Sequence, residues 1–253
     1  MGIRAYRVLV TALMGLAARL RLARLYLCTD AREGTGDLGD FLSAAFAGGV
    51  DIAQIRQKGM TPEAELAALE VARTAAARHQ GIVCVNDSAA LAGRFHADML
   101  HLGQTDGESR PARSQLHRWA LLGRSTHSEE QATAAIADRH VDYFCVGPVY
   151  ATSTKPDYVP VGLDLVKTAA RLAPVSEVTA KPWFAIGGID EHNLDEVLSA
   201  GPRRICVVRA ITEAADPETA ARRLKDRLRA AWRADPRMDR YVFTALSGPS
   251  ASH

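Results

Sequence analysis

The chain lacks any run of 18 apolar residues, so no membrane-spanning helix is expected in its 253 residues. It also lacks a dominant charge: 31 Lys and Arg against 29 Asp and Glu leave +2. A general nucleic-acid binder would show a strong basic excess or stripe, so that class is excluded. Cysteine is scarce, and Cys28, Cys84, Cys145 and Cys206 show neither C-x-x-C nor metal-ligand spacing. Each sits in a short apolar run, where cysteine behaves as a small buried hydrophobe, and a reducing, cytoplasmic setting is implied. No G-x-G-x-x-G follows the first apolar run, which removes the main dinucleotide signature. What remains, 47% hydrophobic and 24% charged, is the composition of a globular chain with room for one large domain or two small ones.

The ends differ from the middle. Residues 1–24 carry Arg4, Arg7, Arg19, Arg21 and Arg24 and no acid, around the apolar run 8-VLVTALMGLAA-18. A weak signal peptide or an Arg-rich transit segment has this pattern. No small-x-small cleavage site follows, so the other reading is an extension ahead of an initiator at Met14. Residues 1–24 are therefore set apart from a main domain at 25–232. The tail 233–253, with Gly, Ser and Pro near its end, is expected to be poorly ordered.

Between the ends lie eight short apolar runs: 25-LYLCT-29, 51-DIAQIR-56, 82-IVCVN-86, 98-DMLHL-102, 120-ALLGR-124, 142-DYFCV-146, 183-WFAIG-187 and 205-ICVVR-209. Their length and their Val, Ile, Leu, Phe and Tyr content predict buried strands. Helical patterns separate them. The segment 62–81 has Pro in its first turn and Gly after its end, 190–201 opens on Asp190 and stops at Gly201, and 217–232 is amphipathic with a basic outer face. Eight alternating units in about 210 residues predict an α/β fold, a single (β/α)8 TIM barrel, over a doubly wound sheet.

In such a barrel each strand has one face toward the axis and one toward the helices. Side chains alternate along a strand, so Ile52, Gln54, Arg56 and Lys58 share one side, and Ala53 and Ile55 the other. No strand face is solvated, so the polar side must lead to the axis and the mouth. Barrel active sites lie at the carboxyl ends of the strands. There the chain places Gln54, Arg56 and Lys58, then Asn86 and Asp87, 101-HLGQTD-106, 123-GRSTH-127, 147-GPVYATSTK-155, Gly187 and Gly188, and Val208 and Arg209. Singly, each has a plain explanation: Asn86-Asp87-Ser88 as a helix cap, Asp106 as a turn residue, Ser125 and Ser128 as caps. Their joint presence at consecutive strand ends points to a site.

Three cations, Arg56, Lys58 and Lys155, oppose two carboxylates, Asp87 and Asp106. Two carboxylates alone fit acid–base work. Facing three cations they fit Mg2+ beside a polyphosphate, since magnesium binds through one or two carboxylates plus substrate phosphates. The turn 187-GGID-190 opens a helix and fits a second phosphate, at the loops where such barrels often hold one.

The ordered motifs LY-x-x-TD (25–30), Q-x-R-x-K (54–58), ND (86–87), HLGQ-x-D (101–106), G-x-ST-H (123–127), T-x-TK (152–155), IGGI (186–189) and V-x-AI (208–211) closely resemble the thiamine phosphate synthase family over about residues 25–231. The resemblance implies that Gln54, Arg56, Lys58, Asn86, Ser125 and Lys155 bind an aminopyrimidine diphosphate. It implies that Asp87 and Asp106 hold Mg2+, and that Arg56, Lys58 and Lys155 take the leaving group. Thr152, Thr154, Gly187, Gly188, Val208 and Arg209 would bind a thiazole phosphate. The implied products are thiamine phosphate and diphosphate. His101 and His127 are read as packing or orienting residues. The family usually has Ser where this chain has Arg209, and a cation can take over a phosphate contact.

Two rivals stand beside this reading. A non-catalytic thiazole-phosphate-binding regulator of the same fold need not keep the diphosphate residues, yet they are present. A sugar-phosphate isomerase or epimerase needs a general base, and no strand ends in Glu. The implied partners are small molecules, with no nucleic acid and no membrane, and a homo-oligomer is left open. The 147–161 loop, in the longest gap between strands, has the length of a lid.

Overall fold

Parity along eight short strands sorts the apolar side chains into two layers. The strands are β1 (Leu25–Thr29), β2 (Ile52–Ile55), β3 (Ile82–Asn86), β4 (Met99–Leu102), β5 (Leu121–Thr126), β6 (Tyr143–Val146), β7 (Trp183–Ile186) and β8 (Ile205–Val207). They are seen in a computed structural model that describes residues 15–152 and 159–247. Each pairs in parallel with the next and β8 closes on β1, which makes the expected (β/α)8 barrel. Odd positions of β1 and β2, such as Leu27, Ala53 and Ile55, pack outward in one large cluster with the helices. Their even neighbours Tyr26, Cys28 and Ile52 join Cys84, Met99, Tyr143, Cys145, Phe184 and Cys206 in the interior cluster.

All four cysteines are thus buried free thiols on the axis side. Alternating small and large side chains fill a narrow barrel. Here the aromatic partners are Tyr26, Tyr143 and Phe184, with Tyr26 edge-on to Phe184 at 5.4 Å between ring centroids.

The connecting helices start where the side chains can cap them. Thr61, Ser88, Ser128 and Asp216 accept the N–H of Ala64, Leu91, Gln131 and Thr219, so each satisfies an otherwise unpaired first-turn donor. After β7 the helix runs Leu194–Ser199 rather than opening at Asp190, because the Asp190 carboxylate caps a preceding turn through the N–H of His192 and Asn193. The helix Pro217–Arg233 is not basic on its outer face alone. Lys225 is buried on its inner face and paired with Asp51.

Both ends carry structure that the sequence reading set outside the barrel. The helix Leu16–Leu22 puts Leu20, with Ala23 just after it, into the interior cluster, closing the amino end of the barrel under Tyr26, Ile52 and Ile82. Its arginines serve distant backbone: Arg19 donates to the carbonyls of Gln80 and Gly81. Residues 15–24 therefore belong to the barrel, and the assignment of Met14 lies outside the described residues. The expectation of a poorly ordered tail is corrected for residues 237–247. The helix Arg237–Ser247 packs Met238, Tyr241 and Ala245 on Trp232, a spacing of three and four residues that makes one apolar stripe. Among the described residues no helix is long and apolar enough to cross a membrane.

Candidate active site

Register carries the polar residues to one end. Around the barrel Cys28, Gln54 and Cys84 are neighbours on β1, β2 and β3, and one layer higher Asn86, His101, Gly123 and Tyr143 follow on β3 to β6. Gln54 is 3% exposed and points to the axis, as its parity requires. Its Oε1 accepts the Cys28 thiol at 2.9 Å and its Nε2 donates to Cys84 Sγ at 3.8 Å. Arg56 leaves the strand half-buried, its N–H bonded to Thr29 O, and Lys58 lies exposed in the following turn.

At the end of β3 two functions separate. Ser88 takes the capping bond of the helix Ala89–Phe95, which frees Asn86 and Asp87 from that duty. Asp87 has φ 58, a left-handed conformation that Asp tolerates better than most residues, and its N–H is held by His101 O at 2.8 Å. Its carboxyl meets that of Asp106. Burial and this like-charged neighbour push Asp87 up to about 6, with Asn86 and Arg56 pulling the other way. Asp106 is aimed by the Gly103 N–H, 2.7 Å from Oδ2. A Cβ at Gly103 would lie 2.7 Å from the same oxygen, so glycine is what permits the approach.

Two half-buried carboxylates in contact are unfavourable unless a proton or a cation lies between them. Among the described residues no set of three or more metal-capable side chains is gathered. A pair completed by water and substrate oxygens is the donor set that magnesium takes, so the residues fit Mg2+. Glu65, in the first turn of Pro62–Ala77, was not singled out from sequence. Burial and then Asp87 push its carboxyl up as well, which places it beside this rim.

On β5, Ser125 is half-buried. His101 Nε2 lies 2.9 Å from its Oγ, and Gln104 donates to its carbonyl. His101 is thus an orienting residue between strands, while His127 bonds to Gly147 O. The third group lies after β7. Gly187 and Gly188 have φ 105 and 64, and a Cβ on Gly187 would meet Pro148 Cα at 2.5 Å. The chain leaving β6 pairs with this turn through Val149 N–H to Ile186 O and Tyr150 N–H to Gly187 O. Ala151 O lies against Gly188, 3.1 Å from where its Cβ would stand, and Thr152 follows in the chain. Asn193 Nδ2 donates to Gly188 O at 2.8 Å and braces the turn from the other side. Val208 is half-buried, and Arg209, exposed, opens the short helix Arg209–Thr212.

Arg56, Asn86, Asp87 and Asp106 are therefore gathered above Gln54, and Ser125 faces them from β5. The two glycines and the strand-leaving segment 148–151 form a second group, with Thr152 next in the chain. Lys58 is exposed in the turn after β2 and stands apart from this group, and Thr154 and Lys155 lie outside the described residues, as does part of the 147–161 loop. Sequence reasoning missed the aromatic floor of Tyr26, Tyr143 and Phe184, although the strand parity that located Gln54 also places all three.

A carboxylate pair that needs a cation and a glycine turn suited to an anion define a barrel enzyme that handles phosphorylated small molecules. The family is narrower than that class. Residues 25–211 match the family described as thiamine monophosphate synthase, and the chain belongs to it. It is 56% identical over 216 residues to the thiamine-phosphate synthase of Thermobifida fusca, covering 85% of this chain and 97% of that one. The Streptomyces avermitilis thiamine-phosphate synthase is 54% identical over 211 residues, covering 83% and 96%. Among solved structures, the thiamine phosphate pyrophosphorylase of Pyrococcus furiosus superposes with a TM-score of 0.73 at 25% identity, covering 86% of this chain and 99% of that one.

Proposed function

We propose that the chain joins 4-amino-2-methyl-5-(diphosphooxymethyl)pyrimidine to 4-methyl-5-(2-phosphooxyethyl)thiazole, giving thiamine phosphate and diphosphate. The observation that carries this reading is the carboxylate pair Asp87–Asp106 beside Arg56, directly above the buried amide of Gln54. Gln54, Asn86 and Ser125 hold the aminopyrimidine. Arg56, Lys58 and Lys155 bind its diphosphate, and Asp87 and Asp106 hold Mg2+. When bound, Mg2+ neutralises charge on the diphosphate oxygens. Thr152, Thr154, the Gly187–Gly188 turn, Val208 and Arg209 hold the thiazole phosphate.

The chemistry needs no nucleophilic side chain. The methylene C–O bond breaks with its electron pair passing to diphosphate, and the electron-rich aminopyrimidine spreads the positive charge left on the methylene. The thiazole nitrogen lone pair then forms the C–N bond. The barrier lies in charge growing on the leaving group, which fixed cations stabilise without reorganising. Holding both substrates in one barrel mouth makes the second step effectively unimolecular. The buried free cysteines favour a reducing compartment, and we assign the protein to the cytoplasm.

Incubation with both substrates and Mg2+, followed by chromatography, tests the reading. Thiamine phosphate is expected. Binding of the thiazole phosphate without any product would overturn synthesis in favour of a regulatory role.

A further inference from the structure

Ser125 stands at one end of a chain of hydrogen bonds buried in the barrel. His101 Nε2 lies 2.9 Å from Ser125 Oγ, and His101 Nδ1 lies 2.9 Å from Tyr143 Oη. A neutral imidazole has one donor and one acceptor nitrogen, and its tautomer must be inferred from its partners. The direction of the chain therefore decides whether Ser125 offers a ligand its proton or a lone pair.

Tyr143 sets that direction. Its side chain is fully buried, and it fits because β5 has glycine opposite: a Cβ on Gly123 would lie 2.0 Å from the Tyr143 ring. Burial pushes the phenol well above its usual range, so the hydroxyl keeps its proton. Its other polar neighbours are Tyr26 Oη at 3.4 Å and Cys84 Sγ at 3.8 Å. Both are more distant than Nδ1, which is the nearest acceptor for the phenol hydrogen. The Tyr26 hydroxyl can point its own hydrogen at the Tyr143 oxygen, while the Cys84 thiol gives its hydrogen to the Val85 carbonyl. The phenol therefore donates to Nδ1. The imidazole proton then sits on Nε2 and is donated to Ser125 Oγ, which leaves the Ser125 hydrogen free to point away from His101.

We propose that Tyr143 and His101 are positioning residues that hold Ser125 as a hydrogen-bond donor, aimed at a ring nitrogen of the aminopyrimidine and not at its exocyclic amino group. This rests on the functional reading above, in which Ser125 touches the pyrimidine. A site with a fixed donor rejects an analogue without the matching acceptor, because the hydroxyl, covered by the bound ligand, is then left unpaired.

The test combines a spectrum with kinetics. In 15N-histidine-labelled protein at mildly alkaline pH, long-range 1H–15N correlations should show His101 with Nε2 protonated and Nδ1 bare. Tyr143→Phe keeps the packing and should mix the two tautomers. It should raise the KM for the pyrimidine diphosphate about tenfold, the worth of one hydrogen bond, and leave the thiazole phosphate KM unchanged. In a Ser125→Ala background the same substitution should add nothing, since its effect passes through Ser125. Additive losses, or wild-type His101 protonated at Nδ1, would overturn the relay. The tautomer is read without substrate. Nδ1–H with normal synthesis therefore marks a failed relay, and Nε2–H without synthesis overturns the pyrimidine assignment.

Discussion

At the amino end of the barrel, Asp51 takes the N–H of Arg24 at 2.7 Å and of Leu25 at 2.9 Å, together with the ammonium of buried Lys225. At the carboxyl end, Asp87 faces another carboxylate, and no ammonium or guanidinium is in ion-pair contact with it among the described residues. The amino end is rich in charge, and much of that charge is paired. Arg204, 1% exposed, donates to Arg21 O and Tyr241 Oη, and Arg113 binds Asp142 and two carbonyls. Even a cavity of about 540 Å³ there is lined by Arg19 and Arg73, whose guanidiniums already bond to the carbonyls of Gln80, Gly81 and Phe95. Paired charge at one end supports the fold, and frustrated charge at the other waits for a ligand.

Substitutions should break that contrast in opposite ways. Asp87→Ala or Asp106→Ala should lower kcat/KM in Mg2+ by about 10²–10³, as losing one preorganised electrostatic group does. Each should change the melting temperature little, because the repulsion removed offsets the left-handed backbone that Ala tolerates less well at 87 and the Gly103 bond lost at 106. Undiminished activity in both would remove the metal assignment. Asp51→Ala should do the reverse. It leaves Lys225 buried and unpaired, at about 3 kcal/mol, the low end of the range because Asp51 is partly open to water. That corresponds to roughly 6–12 °C in a chain of this size, with kcat per folded molecule retained. Melting curves beside active-site titration would show it.

The pH response is smaller. Asp87 is raised to about 6 in the folded protein against an ordinary 3.8. Without metal, its contribution to stability is present below the lower value and fades as pH rises through about 6. Mg2+ needs the ionised carboxylate, so its stabilisation should grow over the same window. Melting temperatures with and without Mg2+ should diverge as pH rises toward neutrality, and a constant gap would contradict this. The smallest effect belongs to Arg209→Ser. An exposed cation near a phosphate is worth little, so the thiazole phosphate KM should rise about two- to fivefold. A large improvement would show that Arg209 is not a productive ligand.

Much of the mouth is legible in the sequence. Strand parity alone put Gln54 on the axis beside Ile52, and the barrel followed from eight short runs with helical spacers. Other features depend on partners distant in sequence. The arginines of residues 15–24 resemble a targeting segment until Arg19 is seen to hold carbonyls more than sixty residues away. Met238, Tyr241 and Ala245 already had helical spacing, but the Gly, Ser and Pro at 248–250 drew the whole tail toward disorder. The link from Tyr143 through His101 to Ser125 needs the register of three strands, which no single stretch encodes.

The contrast between the two ends is tested most directly by kcat/KM toward the pyrimidine diphosphate for Arg56→Ala, measured beside Arg24→Ala. Arg24 lies over the Trp232 ring at the amino end, 4.1 Å from its centroid. Arg56→Ala should lose about 10²–10³ in kcat/KM at an unchanged melting temperature, while Arg24→Ala should melt lower and keep its rate per folded molecule. A wild-type rate in Arg56→Ala would contradict the account.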